Sequence, residues 1–195
     1  MTTMESYRRA QDCFDGVLAA VARDGWDAPS TCPEWTVRDV AGHVIWGQEQ
    51  LRHWATGEEY TVRTGAPGAP HPGEMAGSDP LATWRDALSR SVATLTDEGL
   101  RRLISLPGLG EVPVETMVIT FLTDQIVHAW DIGHALNIPV PLDADLVAGS
   151  FEWMRPRALR VPGFFGPELT PPDGADEQTR WLAYLGRAAW QPVAA

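Results

Sequence analysis

Two aspartates and a histidine are spaced so that they can act together. Asp124, His128 and Asp131 are separated by four and three residues, so they lie on one stripe if their segment is helical. The same segment carries apolar residues in nearly every other direction, which predicts a helix buried on all sides. An unpaired buried carboxylate costs several kcal/mol or becomes neutral, so these groups need partners.

A divalent metal ion is one partner that would satisfy this stripe. Asp124 and His128 are one helical turn apart and can reach a single cation. A third ligand then has to come from a neighbouring helix, and His43, on the shoulder of a second apolar helix face, is the best-placed candidate. The spacing also fits a simpler interpretation, in which Asp124 and His128 form a buried hydrogen-bonded pair.

Other side chains near the stripe have two interpretations each. Asp131 is a candidate catalytic residue, as a proton shuttle or as a group that supports His128, or else a capping carboxylate on the helix surface. Trp46 points away from the core face of its helix and needs a cover. Trp46 and Trp130 are therefore candidates to line a cofactor pocket, although both also fit packing residues. Cys32 is either a reactive thiol or a buried structural cysteine.

The period of the apolar residues predicts four long helices that position these groups. These helices cover residues 4–23, 36–55, 79–99 and 113–137. Thr36 and Asp39 form a start signal for the second helix, and Pro113 suits the first turn of the fourth. His43 lies on the second helix, and the acidic stripe lies on the fourth.

The segments between these helices predict two kinds of connection. Residues 57–80 are rich in Gly and Pro, which indicates a long loop. Residues 101–114 are typical of a short β-hairpin around Pro107 and Gly108.

The C-terminal part of the chain predicts two further helices. They lie near residues 143–158 and 176–190, joined by a link rich in Pro and Gly. We therefore expect one domain over residues 1–195, with a helical bundle over about 4–137 and a C-terminal helical extension over about 143–190.

Composition and charge exclude several function classes. The 195 residues include 26 acidic and 15 basic ones, for a formal net charge of −11, and every basic residue is Arg. The lack of Lys excludes Schiff-base chemistry and a P-loop lysine, and the acidic balance argues against a nucleic-acid surface. No signal peptide and no apolar run of membrane-spanning length is present in the sequence, so we expect a cytoplasmic protein without nucleic-acid or membrane partners.

Two segments together resemble a known family. The stretch WDAPSTCPEWTVRDVAGHVIWG is followed, further along the chain, by TDQIVHAWDIGHALN. This pair resembles the metal-binding domain of the mycothiol-dependent maleylpyruvate isomerase family, within the larger DinB-like group. The resemblance covers nearly the whole chain and implies an all-α fold, a DinB-like four-helix bundle with a short β-hairpin and extra C-terminal helices.

The resemblance also implies a set of metal ligands. In that family a His at the end of the W-T-V-R-D-x-x-x-H motif binds the metal with an acidic residue and a His four positions later, which here are His43, Asp124 and His128. Trp130 and Asp131 match the Trp-Asp that follows the second His. The isomerases carry the longer Glu in place of Asp124, so the reach of this ligand differs. The implied cofactors are a divalent metal, expected to be Zn²⁺, and mycothiol.

The implied function is a divalent-metal-dependent, thiol-using isomerase or S-transferase that acts on a small electrophilic substrate. Two His and one carboxylate leave a coordination position open, as in catalytic zinc sites, and a coordinated thiol is held as the thiolate. Two alternatives stay open: a metal-assisted hydrolase or cyclase without a thiol, and a non-catalytic metal-binding stress-response module. Bundles of this kind often pair through their helices, which favours a homodimer.

Overall fold

The described part of the chain, residues 2–106, 110–158, 160–161 and 163–191, is largely helical in the computed structural model. Over these residues the α-helices are α1 (Thr3–Ala20), α2 (Val37–Thr56), α3 (Pro80–Thr94), α4 (Asp97–Arg101), α5 (Val114–Leu136), α6 (Ala144–Met154) and α7 (Glu177–Tyr184). The strands are β1 (Leu103–Leu106) and β2 (Gly110–Pro113), and a 3₁₀-helix covers Pro72–Ala76. No helix of this described part is long and apolar enough to cross a membrane.

Four long helices pack into a bundle, which confirms the predicted fold class. α5 packs against α1 and α2, and α2 packs against α3. α6 and α7 pack onto this bundle: α6 contacts α5, and α7 contacts α6. Two apolar clusters fill the core, one around Phe14 and Trp84 and the other around Ile126 and Trp181. The extra C-terminal helices therefore share the core of the bundle.

The predicted third helix, 79–99, is two helices in the structure. α3 ends at Thr94, and the side chain of Thr96 accepts a hydrogen bond from the backbone N–H of Gly99 (3.2 Å), which starts α4. A threonine that caps in this way favours a new helix start over a continuous helix.

The β-hairpin and the two C-terminal helices form as predicted from the sequence, but the two helices differ from the prediction in length. β1 and β2 pair antiparallel with Leu103 opposite Pro113, while the predicted turn at Pro107 and Gly108 lies outside the described residues. α6 and α7 are shorter than predicted. α7 stops before Gly186, whose φ of 82° lies in the left-handed region that glycine adopts at helix ends.

The start of α2 confirms the signal predicted from Thr36 and Asp39. The Thr36 side chain accepts from the Asp39 backbone N–H (3.2 Å), and the Asp39 carboxylate accepts from the Thr36 backbone N–H (2.9 Å). Asp39 also accepts from the backbone N–H of Gly73 (2.8 Å) in the 3₁₀-helix. One carboxylate thus caps α2 and holds the long loop against it.

The loop lies so close to α2 that Gly42 has no space for a side chain. A Cβ at this position would lie 1.9 Å from the carbonyl oxygen of Pro72. Because the next residue is His43, the packing of this glycine sets the distance between the loop and the candidate site.

We expect Gly42→Ala to destabilise the protein by about 2 kcal/mol, because the added methyl group forces the backbone of Pro72 outward. Urea denaturation measures the change in the free energy of unfolding. The matched control is Gly16→Ala on the exposed face of α1, where a Cβ meets nothing within 4 Å. That variant is expected to gain about 1 kcal/mol from helix propensity. Equal effects of the two substitutions would contradict the packing argument.

Candidate metal centre

His43, Asp124 and His128 meet where α2 and α5 face each other. Nε2 of His43 lies 3.6 Å from Oδ2 of Asp124, and Nε2 of His128 lies 3.3 Å from Oδ1 of the same carboxylate. The candidate ligand atoms of all three residues lie within 4.8 Å of one another. The structure thus brings together the three residues that the resemblance implied.

Each imidazole presents Nε2 to Asp124 because its other ring nitrogen is already engaged. Nδ1 of His43 donates to the backbone carbonyl oxygen of Gly65 (2.7 Å), which can only accept. Nδ1 of His128 donates to Oδ2 of Asp131 (2.9 Å). Nδ1 therefore carries a proton in both rings, and Nε2 is the nitrogen that would bind a cation, which in His128 would displace the proton shared with Asp124. Contacts of this type orient the histidine ligands of metal sites.

The three groups are electrostatically coupled. Burial raises the pKa of Asp124, but the neighbouring imidazoles of His128 and His43 outweigh it and hold this pKa below its ordinary value. Burial lowers the pKa of His128, and the Asp124 carboxylate more than compensates and raises it well above the ordinary value. Asp124 is therefore an ionised carboxylate in contact with an imidazole, which is the arrangement both interpretations of the sequence require.

Asp131 lies behind His128, on the side away from Asp124, and its side chain is 0% exposed. Arg187 binds this carboxylate through two hydrogen bonds, Nη2 to Oδ2 (2.8 Å) and Nε to Oδ1 (3.2 Å), and the Thr31 hydroxyl donates to Oδ1 (2.5 Å). Burial raises the pKa of Asp131, but Arg187 and His128 hold it below its ordinary value. This geometry favours the interpretation in which Asp131 supports His128 over the one in which it caps the helix.

Sequence reasoning missed three of these partners: Thr31, Gly65 and Arg187. Thr31 and Arg187 are 100 and 56 residues from Asp131 along the chain, and Gly65 is 22 residues from His43. Gly65 contributes only its carbonyl oxygen, which no sequence pattern marks. The sequence predicted a loop at Gly65 and a C-terminal extension at Arg187. It did not indicate that either segment reaches the site.

A second group with metal-binding atoms consists of Cys32, His128 and Asp131. Nη2 of Arg187 lies 3.8 Å from Sγ of Cys32 and 2.8 Å from Asp131, so a guanidinium already balances the charge there. Burial raises the pKa of the Cys32 thiol and favours its neutral form. The group around Asp124 is therefore the better candidate for a metal.

A cavity of about 1850 Å³ opens onto the candidate site. Its lining includes His43, Asp124 and His128, whereas Asp131 is not among the described residues that line it. The three candidate ligands are therefore reachable by a small molecule, and the supporting carboxylate is not.

The predicted pocket residues Trp46 and Trp130 both line this cavity. The Trp46 ring lies nearly parallel to the His43 ring, with centroids 6.3 Å apart, and its indole N–H donates to the Val62 carbonyl (2.8 Å). Trp130 stacks on His134 with centroids 4.4 Å apart. The cover that Trp46 needs is thus provided by the long loop, which the sequence did not predict for this role, at the wall of the cavity.

Two loops meet at the rim of the cavity. Gly68, in the long loop, and Gly163, in the C-terminal link, have φ values of 76° and 87°, and a Cβ on Gly163 would lie 2.8 Å from the Cα of Gly68. This direct backbone contact requires glycine on both sides, so the rim is built from two distant segments of the chain.

The model of the mycothiol maleylpyruvate isomerase N-terminal domain matches residues 7–133. The chain belongs to this family. The matched range contains His43, Asp124, His128 and Asp131, while Arg187 lies beyond it.

The chain is also similar to proteins found by sequence and by structure. Two uncharacterized proteins of Mycobacterium tuberculosis, from strains CDC 1551 / Oshkosh and ATCC 25618 / H37Rv, are each 32% identical over 193 residues, 96% of this chain and 98% of the relative. The crystal structure of the mycothiol-dependent maleylpyruvate isomerase superposes with a TM-score of 0.56 at 21% identity and covers 79% of this chain and 68% of its own. The structure of a mutant of that isomerase superposes with a TM-score of 0.52 at 18% identity. The superposition covers 68% of this chain and 61% of the mutant, so this chain spans less than two thirds of the mutant's length. These structures share the fold.

We expect Arg187→Met to lower the free energy of unfolding by about 3 kcal/mol, because it leaves the Asp131 carboxylate buried without its main counter-charge. The control is Arg85→Met, which breaks a similar two-bond contact, Nε and Nη2 of Arg85 with Asp15 (both 2.8 Å), at an exposed site. Water replaces that contact, so we expect a much smaller loss. Urea denaturation measures both variants. A loss for Arg187→Met no larger than that for Arg85→Met would show that Asp131 does not depend on the guanidinium.

Proposed function

We propose that the protein is a divalent-metal-dependent enzyme that uses a low-molecular-weight thiol, mycothiol, to isomerise a small electrophilic substrate or to transfer the thiol to it. The observation that carries this proposal is the convergence of Nε2 of His43, Nε2 of His128 and the Asp124 carboxylate on the wall of an accessible cavity. Membership in the isomerase family supports the thiol.

The donor set fits a metal such as zinc. Two neutral imidazole nitrogens and one carboxylate are the ligand types of catalytic zinc sites, which keep a position open for water or substrate. Both rings are held with the proton on Nδ1, by Gly65 and by Asp131, so neither ligand has to reorient. When bound, a divalent metal and a thiol supply a thiolate nucleophile and polarise an electrophile.

The residues around the ligands have separate roles in this proposal. Asp131 positions His128 by accepting its Nδ1 proton in a hydrogen bond, and Arg187 keeps Asp131 ionised. We propose this positioning role for Asp131 in place of proton transfer, because the side chain is 0% exposed and accepts from donors of four residues, Thr31, Cys32, His128 and Arg187.

The two tryptophans are proposed to bind the cofactor and the substrate. Trp46 lies beside His43, and Trp130 lines the same cavity. Flat apolar walls of this kind exclude water from a reacting thiolate and offer stacking surface to an organic ligand.

We expect about one divalent metal ion per chain in the purified protein, and loss of that metal in His43→Ala, Asp124→Ala and His128→Ala, because each variant removes a ligand. Elemental analysis of the purified proteins, combined with titration calorimetry of zinc into the metal-free protein, measures both content and affinity. A wild-type protein that takes up no metal after reloading would leave Asp124 and His128 as a buried polar pair and end the proposal.

Two control variants sharpen this measurement. His134→Ala removes a histidine that lines the same cavity outside the proposed ligand set, and it is expected to retain the metal. Asp131→Asn is expected to bind zinc about 10–100-fold more weakly while keeping the stoichiometry, as is typical when a partner of a histidine ligand is changed. An unchanged affinity in Asp131→Asn would rule out the positioning role.

We expect mycothiol to bind the zinc-loaded protein and to bind much more weakly to the metal-free protein, because the ionised thiol needs the cation. Titration calorimetry with mycothiol and with its S-methyl derivative measures the contribution of the thiol group. The derivative cannot ionise and serves as the matched ligand control. Equal affinities for the two ligands, in a protein that holds its metal, would favour the hydrolase or cyclase without a thiol.

A further inference from the structure

The cavity continues beyond the candidate metal centre along α5. Phe121 and Met117 precede Asp124 by one and two helical turns, and all three line the same cavity. Asp124 follows Met117 by seven positions, which corresponds to about 10 Å of helix. We call this part of the cavity the apolar arm, and its described lining consists of Trp54, Leu106, Met117, Thr120, Phe121 and Met154.

The apolar arm lies between α2 and α5. On α2, a Cβ at Gly47 would lie 3.0 Å from the Phe121 ring, and the Trp54 ring centroid lies 5.8 Å from that of Phe121. Gly47 lies one turn after His43 and Phe121 one turn before Asp124, so the arm begins at the candidate ligands. It extends towards β1 at Leu106.

No charged side chain is found among the described residues of the apolar arm. Besides the indole N–H of Trp54, its polar group is the hydroxyl of Thr120, which accepts a hydrogen bond from the indole N–H of Trp153 (3.2 Å). A carboxylate group placed in the arm would therefore lose its hydration without gaining a cation, which is unfavourable, whereas an alkyl or aryl group gains from burial.

The cations elsewhere in the cavity lining have protein partners. Arg187 is bound to Asp131, and Arg160 donates to the backbone oxygens of Gly166 (2.6 Å) and Tyr184 (2.8 Å). The chain contains no Lys. The described lining also includes the acidic side chain of Glu34. Among the described residues, the cavity lining therefore offers no unpaired arginine to clamp a substrate with two carboxylates, such as maleylpyruvate.

We infer that the substrate is an uncharged electrophile with an apolar alkyl or aryl group, which lies in the apolar arm with the electrophilic carbon at the Asp124 end. This inference rests on the proposed function, because the arm leads away from the proposed metal ligands. It separates this chain from the mycothiol-dependent maleylpyruvate isomerase, because maleylpyruvate is a dicarboxylate.

Unreactive ligands test the inference without turnover. Titration calorimetry with zinc-loaded protein and the series from butan-2-one to decan-2-one is expected to give an affinity that rises about threefold per added methylene until the arm of about 10 Å is filled. Octanoate and octanedioate form a second pair that differs only in a distal carboxylate. We expect octanoate to bind at least about tenfold more tightly, because the distal charge of octanedioate has no partner in the arm.

A substitution in the arm provides a further check. Met117→Arg is expected to weaken binding of octan-2-one at least about tenfold and to reduce the preference for octanoate over octanedioate, because it introduces a cation. The matched control is Val92→Arg on α3, where the side chain is 37% exposed and does not line the cavity. This variant is expected to bind as the wild type does. Should Met117→Arg not fold, the two ligand series on the wild type decide.

The results separate this inference from the proposed function. Affinity for the ketones that does not change with chain length, or tighter binding of octanedioate than of octanoate, would overturn the inference even where the protein binds metal and mycothiol. An affinity for the ketones that rises with chain length supports the inference. The same titration on metal-free protein measures this dependence without the ion. Failure to bind metal would refute the proposed function, whereas the ketone series on metal-free protein would still test separately whether the apolar arm binds alkyl groups.

Discussion

The burial of one ionised carboxylate, that of Asp131, is the constraint on which the candidate site depends. A buried carboxylate is stable only with hydrogen bonds and a counter-charge, and here these come from Thr31 before α2, from His128 on α5 and from Arg187 after α7. Three distant segments are therefore joined at one group. The same interaction fixes the ring of His128, so the stability of the C-terminal extension and the geometry of the candidate metal centre are linked.

The opposite side of the site depends on close backbone packing. Gly42 lets the 3₁₀-helix of the long loop approach α2, and Asp39 holds it there through the backbone N–H of Gly73. The same loop supplies the Gly65 carbonyl oxygen that orients His43. One histidine is thus oriented by a charged network and the other by a loop, and both rings present Nε2 to Asp124 before any ligand arrives, which reduces the cost of binding a cation.

The distribution of charge in the cavity narrows the chemistry that the fold can support. Helical bundles host many activities, so the family assignment alone does not identify a substrate. Around Asp124 the cavity is polar and its groups are preorganised, while the apolar arm carries no charged side chain among its described residues. The arginines in the described lining, Arg160 and Arg187, are engaged with protein groups. A cavity of this kind favours a ligand with one reactive end and one apolar end.

Apart from the break between α3 and α4 and the exact ends of α6 and α7, the sequence by itself determined where the helices form, the cap of α2 at Thr36 and the proximity of Asp124 to His128, because these features depend on residues within a few positions of each other. Its motifs also indicated His43 through the resemblance. Only the tertiary structure decided that Arg187 and the Gly65 carbonyl belong to the site, since they lie 56 and 22 residues from their partners. Local periodicity carries no information about such pairs; they arise from how the helices and loops pack, and so does the apolar arm.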